Sequence, residues 1–244
     1  MPLRFFFFLT LFFALSGFSY AADVADITAA LDGAQSQADI VRQTKLLESI
    51  TAAQAPCPRV DALTQLGRAY YLLADAESDK KKKMPFLEKA VAAEDRVLSV
   101  DPGNVHALYW RSHALLLQAD VVGGLKALKM VKEALRGLEV VSEKDGMYDS
   151  AGPYRTRGKV LIEAPSWTFI GDKKKGMELL LKAKNMVPAC KLNHLYLAQA
   201  YAVNGRKDDA KAEIGWILAT PVDPRNAKDD LDTKAEARKL LDSL

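Results

Sequence analysis

Ala62-Leu63-Thr64-Gln65-Leu66-Gly67-Arg68-Ala69-Tyr70 and His194-Leu195-Tyr196-Leu197-Ala198-Gln199-Ala200-Tyr201 carry one shared pattern: a Leu, a small residue directly after it, and a Tyr four positions after the Leu. On a helix, positions four apart lie one above the other on the same face. The small residue lets a second helix come close, while the Leu and the Tyr fill the space toward the next helix pair. Each pattern is followed by an alanine, Ala90 or Ala210, and then by a proline. Proline ends a helix because it lacks an N–H and clashes with the preceding turn. Such units predict antiparallel helix pairs stacked in sequence order.

Working outward, segment after segment places apolar residues at three- and four-residue intervals, and no strand-like alternation of useful length occurs. The class is all-α. Val100-Asp101-Pro102-Gly103-Asn104 combines a helix stop with a helix cap, and Met186-Val187-Pro188 and Val222-Asp223-Pro224 are further stops. Pro188 and Pro224 stand 36 residues apart, a repeat-like spacing. The pattern predicts a helix near 36–53 and four hairpins: 59–78 with 85–100, 104–119 with 124–143, 150–163 with 172–187, and 190–204 with 207–219. A last helix near 227–243 would cover the final hairpin with Ala235, Leu240, Leu241 and Leu244. The expected architecture is a superhelical array of about four hairpins over residues 59–244, preceded by an N-terminal helical segment (22–58) and closed by a C-terminal capping helix. Gly123-Gly124 reads as a turn. The first hairpin has 20 residues between Tyr70 and Ala90, so longer helices or an expanded turn containing Asp79 and lysines 80–83 are expected. The third hairpin holds an insertion, residues 164–171.

The first residues read as an export signal, with Arg4 before an apolar run from Phe5 to Leu15 and small residues Ser19 and Ala21 at the positions a signal peptidase inspects. Cleavage after Ala21 would leave 223 residues, in the periplasm or secreted, without a stable membrane anchor. Seven of the nine Phe residues lie in that leader, so the core must be built from Leu, Ala, Val and Tyr. Cys57 and Cys190 could pair in an oxidising compartment if two helix starts met in space. The competing reading is two separate thiols packed as small hydrophobes.

A net charge of +3, spread in mixed sign, makes no case for nucleic acid. His106 and His113 are seven apart, about 10 Å along a helix, too far to share a metal. Together with His194 they read as surface or groove residues. No Gly-rich nucleophile elbow and no framed carboxylate pair is present, so neither an enzyme nor a cofactor is expected. Lysine runs 80–83 and 173–175 read as solvated faces, with Asp172 capping the helix that the second run begins.

The candidate contact residues for a ligand or partner are Tyr109, Trp110, Arg111 and His113 on one first-of-pair helix, Tyr154 and Arg155 on the next, and Trp167 and Phe169 in the insertion. First-of-pair helices line the concave side of such arrays. Core packing is the competing reading for each, and for the insertion the alternative is that Phe169 or Ile170 staples the Asp172 cap.

These motifs resemble tetratricopeptide repeats over nearly the whole chain after the leader. That resemblance implies a protein-interaction scaffold that holds another protein or a peptide. The stretch Gly152-Pro153-Tyr154-Arg155, Gly158, Ala164-Pro165, Gly171-Asp172-Lys173-Lys174-Lys175, Leu180, Ala183 and Pro188 is similar to the T component of tripartite ATP-independent periplasmic (TRAP) transporters. This second resemblance implies a periplasmic helical protein that associates with a substrate-binding protein and passes a small, hydrophobic ligand through an internal channel. The two readings differ in one observable. A scaffold has an open groove with scattered aromatics, whereas a carrier has an enclosed apolar tunnel near Trp110, Tyr154 and Trp167. Self-association is compatible with both.

Overall fold

The computed structural model describes residues 24–53 and 59–244, all helix and connecting turn. The leader with its cleavage site, and Cys57 with its pairing to Cys190, lie outside the described residues; Cys190 itself is half-buried and makes no disulfide among the described residues. No described helix is long and apolar enough to cross a membrane. The chain divides into two compact units with the boundary between Arg96 and Val97.

The first unit contains α1 (residues 24–32), α2 (Gln37–Ala53), α3 (Val60–Ala76) and most of α4 (Lys80–Val100). Ser36 and Asp39 start α2 by mutual capping: the Asp39 amide donates to Ser36 Oγ at 3.3 Å, and the Ser36 amide donates to Asp39 Oδ2 at 3.2 Å. In α3, Leu63, Leu66, Tyr70 and Leu73 are buried, the helical stripe expected of that pattern. Gly67 serves as the close-approach point, because a Cβ there would overlap the Glu94 carboxyl on α4. Tyr70 Oη donates to Glu48 of α2, and Arg68 pairs with Asp32 at 2.5 Å.

The stretch 24–32, which lies in the expected N-terminal helical segment (22–58) ahead of the helix expected near 36–53, forms a helix of its own and buries Val24, Ile27 and Leu31. Of the two readings of the first hairpin the longer helix holds, and lysines 80–83 form no expanded turn. They are the first turn of α4, because Asp79 accepts from the Lys81 amide through Oδ1 and from the Lys82 and Lys83 amides through its carbonyl. The sequence places the helix start at the Pro85 boundary, but Pro85 is accommodated inside the helix.

The second unit holds α5 (Val105–Val122) with α6 (Gly124–Lys144), α7 (Tyr148–Glu163) with α8 (Lys173–Met186), α9 (Lys191–Val203) with α10 (Lys207–Ala219), and α11 (Ala227–Asp242). Each pair packs on itself, each second helix packs on the next first helix, and α9 touches both α7 and α11. Asn104 caps α5 by accepting from the Ala107 amide at 3.0 Å, and Asp172 caps α8 by accepting from the Lys175 amide at 2.9 Å. Gly123 and Gly124 form the turn between α5 and α6, each at positive φ, which glycine adopts without strain.

The shared Leu-small-Tyr pattern performs its expected task in α9. Leu197 and Tyr201 pack against Ile162 and Leu180 of the preceding hairpin and Ala210 of their own. Between α7 and α8 the approach is closer still. A Cβ on Gly158 would stand 2.9 Å from the Gly176 carbonyl oxygen, and one on Gly176 would stand 2.9 Å from the Gly158 oxygen. The cap helix α11 covers the end of the stack with a face shifted from the expected one: Thr233 and Ala237 are buried and Leu240 and Leu244 pack on the α9–α10 core, while Ala235 and Leu241 are exposed. Positions 233, 237, 240 and 244 follow the helical period, and 235 and 241 fall outside it.

Candidate functional site

The structure places most of the expected contact residues in the packing of the second unit. Tyr109 is buried with Leu138 and Val141, and its hydroxyl donates to Asp149 Oδ2. Arg155, 4% exposed, donates to Asp149 Oδ2 at 2.7 Å, to the carbonyls of Asp149 and Ser150 at 3.2 Å, and to Asn193 Oδ1 at 3.0 Å. Asn193 returns a bond to the Ser150 carbonyl at 3.1 Å and a second to the Ala183 carbonyl at 3.1 Å. Burial works against the Arg155 charge, but the fields of Tyr109 and Asp149 outweigh it and hold the pKa above the ordinary value. The guanidinium is therefore a fixed cation that binds the start of α7 to α9.

This network explains an irregularity. Asp149, Ser150 and Ala151 all take left-handed backbone angles, with φ of 49°, 54° and 65°. For residues with a Cβ that conformation costs on the order of 1–2 kcal/mol each. The carbonyls it turns inward are those that Arg155 and Asn193 satisfy. Regular helix then begins at Gly152-Pro153, where proline is tolerated because first-turn amides have no intrahelical partner.

His113 also departs from a contact role. Its Nδ1 faces the Tyr109 carbonyl at 3.0 Å and its Nε2 faces Thr156 Oγ1 at 3.2 Å, and burial lowers its pKa. A neutral ring with the proton on Nδ1 satisfies both contacts. Arg111 pairs with Glu133 of α6 at 2.7 Å. Trp110 packs in the aromatic group of Tyr109, His106 and His113. Tyr154 donates to the Ser142 carbonyl at 3.1 Å, with Lys182 Nζ 4.0 Å from its ring centroid. His194, expected at a surface or groove, is instead buried, stacked on Trp216 at 3.6 Å, with Nδ1 2.5 Å from Glu213 Oε2. These residues share a cause: first-of-pair helices contact neighbours on several sides, so their aromatic and basic side chains are enclosed.

The insertion behaves differently. The backbone of residues 164–171 is pinned: the Thr168 amide donates to the Pro165 carbonyl at 3.0 Å, Thr168 Oγ1 to the same carbonyl at 2.6 Å, and the Asp172 amide to the Leu161 carbonyl at 3.0 Å. Thr168 and Ile170 are buried, so these two side chains pack back on the fold. Between and beside them Trp167 is 73% exposed and Phe169 is 95% exposed, the latter at φ 55°. Leaving a Phe in water forgoes roughly 1.5–3 kcal/mol of burial.

Phe169 forms one rim of an open groove of about 500 Å³ between α6, α7 and the start of α8, lined by Leu135, Leu161 and Ile170 and by Arg136, Arg157 and Lys175. Arg157 is held there by Glu139 at 2.5 Å and by Ser142 Oγ at 3.1 Å. Sequence reasoning found Trp167 and Phe169 but missed this groove. Its basic residues come from three helices, and the visible signal, lysines 173–175 with no acidic residue in the first turn of α8, also suits a solvated face. A second cavity, about 370 Å³, lies where α7, α9 and α11 begin, with Arg155 and Lys191 at its wall, the latter paired with Asp230 at 2.5 Å. Among the described residues, no three His, Cys, Asp or Glu side chains are placed to hold a metal ion.

No protein-family model matches the chain, and no curated protein matches it. Among solved structures it is similar to the crystal structure of a thermophilic TPR protein from Thermus thermophilus, with a TM-score of 0.61 and 18% identity over 84% of this chain and 91% of that one. At that identity the likeness speaks for the fold, and with the hairpin packing above it makes this chain an all-helical protein of tetratricopeptide-like fold.

Proposed function

We propose that the protein is an exported scaffold that holds another protein, and that the partner docks on the loop between α7 and α8. The observation that carries this reading is Phe169, 95% exposed in a left-handed conformation on a loop whose neighbouring residues are buried and hydrogen-bonded. A large aromatic side chain held outward by a rigid base is a typical anchor for a partner's surface. The hairpin fold supports the same reading, since stacked helix pairs offer extended surfaces for association. The leader supports export to the periplasm or beyond it, which fractionation of cells producing the full chain would test through the size and location of the product.

A carrier role beside a TRAP transporter, the alternative implied by residues 152–188, asks for an enclosed apolar tunnel near Trp110, Tyr154 and Trp167. Those three side chains lie in separate surroundings: an aromatic group, a cation-capped ring and open solvent. The geometry favours the scaffold.

The test is site-specific photocrosslinking in the producing cell from a reactive residue placed at exposed position 173, beside the loop, with Trp167 intact and in the Trp167→Ala variant. The expected outcome is one dominant crosslinked protein, its capture lost in the alanine variant while helical circular dichroism is unchanged. Unfolding of Trp167→Ala would instead assign the loop to packing.

A further inference from the structure

We propose that the groove beside the 164–171 loop receives an acidic segment of a partner protein carrying one large apolar side chain, a proposal that rests on the docking role given above to Trp167 and Phe169. The lining combines two chemistries in one concavity. Leu135, Leu161, Ile170 and Phe169 supply an apolar wall, and Arg136, Arg157 and Lys175 supply positive charge, against Glu139 and Asp172. Glu139 and Arg157 neutralise each other and Asp172 accepts from the Lys175 amide, so the net positive charge comes from Arg136 and Lys175, with Lys173 and Lys174 beside them. Arg136 and Lys175 are exposed, and among the described residues no carboxylate pairs with their side chains.

The first turn of α8 reinforces this field. Lys173, Lys174 and Lys175 stand at the positive end of the helix dipole with the capping Asp172 as the one carboxylate there. That arrangement opposes the helix it belongs to, and an anionic neighbour relieves it. Charge complementarity therefore selects an acidic occupant and steers its approach, while Phe169 and the apolar wall demand a large hydrophobic side chain next to the carboxylates. A flat anionic membrane would meet Trp167 and the lysines but could not enter the groove, whose Arg157 is braced inside by Glu139 and Ser142.

Fluorescence anisotropy on the purified protein tests this, using labelled peptides of equal length: acidic with one Leu, acidic without it, and uncharged with the same Leu. The acidic Leu peptide should bind most tightly, lose about tenfold or more on Arg136→Glu with Lys175→Glu, and weaken with added salt. Phe169→Ser should bring it to the level of the acidic peptide without Leu. Equal binding of the uncharged peptide, unaffected by charge reversal, would overturn the proposal. So would preference for phosphatidylglycerol vesicles over the peptide, or no binding of the acidic Leu peptide. In each case the photocrosslink from position 173 tells whether the docking role survives: retained capture that Trp167→Ala abolishes keeps the loop as the docking point, and capture indifferent to Trp167→Ala removes both.

Discussion

The run Asp149-Ser150-Ala151 and the single residue Phe169 both hold left-handed backbone angles without glycine, in the same unit and at opposite ends of α7. In the first, the carbonyls turned inward are taken up by Arg155 and Asn193, so the strain is repaid inside the fold. In the second, the loop is pinned on both sides, yet the side chain that the conformation presents meets solvent. Backbone strain by itself therefore marks no function. What separates a structural device from a docking surface is whether the chain itself supplies the compensating contacts.

The strongest way to break the comparison is Arg155→Ala. It would leave the inward Asp149 carbonyl and the buried Asn193 Oδ1 without their donor, and should destabilise by about 3 kcal/mol, at roughly 1–3 kcal/mol for each stranded acceptor. Urea denaturation followed by circular dichroism would read it, and an effect below about 1 kcal/mol would place Arg155 outside the structural core. Next comes Gly158→Ala, which puts a methyl against the Gly176 carbonyl across the seam holding α7 to α8. A loss of roughly 1–3 kcal/mol is expected from the forced shift, read as a lower denaturation midpoint.

Glu94 sharpens the contrast from the other unit, because it is fully buried and its carboxylate oxygens make no hydrogen bond. Burial, with a smaller contribution from Asp95, pushes its pKa well above the ordinary 4.5. Between the unfolded and the raised folded value the native state binds the extra proton, so stability falls as pH rises above about 4.5 and levels off past the folded pKa. Glu94→Gln should remove that slope and leave the protein roughly 1–3 kcal/mol more stable at alkaline pH, measured as denaturation midpoints across pH. An unchanged slope would show that the carboxyl has a partner. The smallest effect belongs to Phe169→Gly, which relieves the left-handed strain and removes a side chain that packs on nothing. Stability should stay within about 0.5 kcal/mol, while partner capture falls. A large loss on thermal melting would put Phe169 on the structural side of the comparison.

The hairpins were legible in the sequence because their causes are local. Asn104 and Asp172 cap where their neighbours' periodicity begins, and the Leu-small-Tyr spacing of α9 marks the face that meets the preceding hairpin. The candidate site was legible only at Trp167 and Phe169, whose position in an insertion set them apart from helical stripes. Tyr109, His113 and Arg155 looked equally suited to a surface, since an aromatic or basic residue on a first-of-pair helix reads the same whether it faces a groove or a neighbour.

The order of the amino acids by itself determined the helical class, the pairing of successive helices and the close approach at small residues, because periodicity, capping and side-chain volume act over a few turns of chain. Tertiary structure alone decided which polar side chains are spent within the fold and which remain outward. Asp149, Arg155 and Asn193 come from two helices to satisfy one strained turn, and Arg136, Arg157 and Lys175 come from three to line one groove. Hydrogen bonds and fields between residues far apart in sequence depend on distances in space, which no local pattern records.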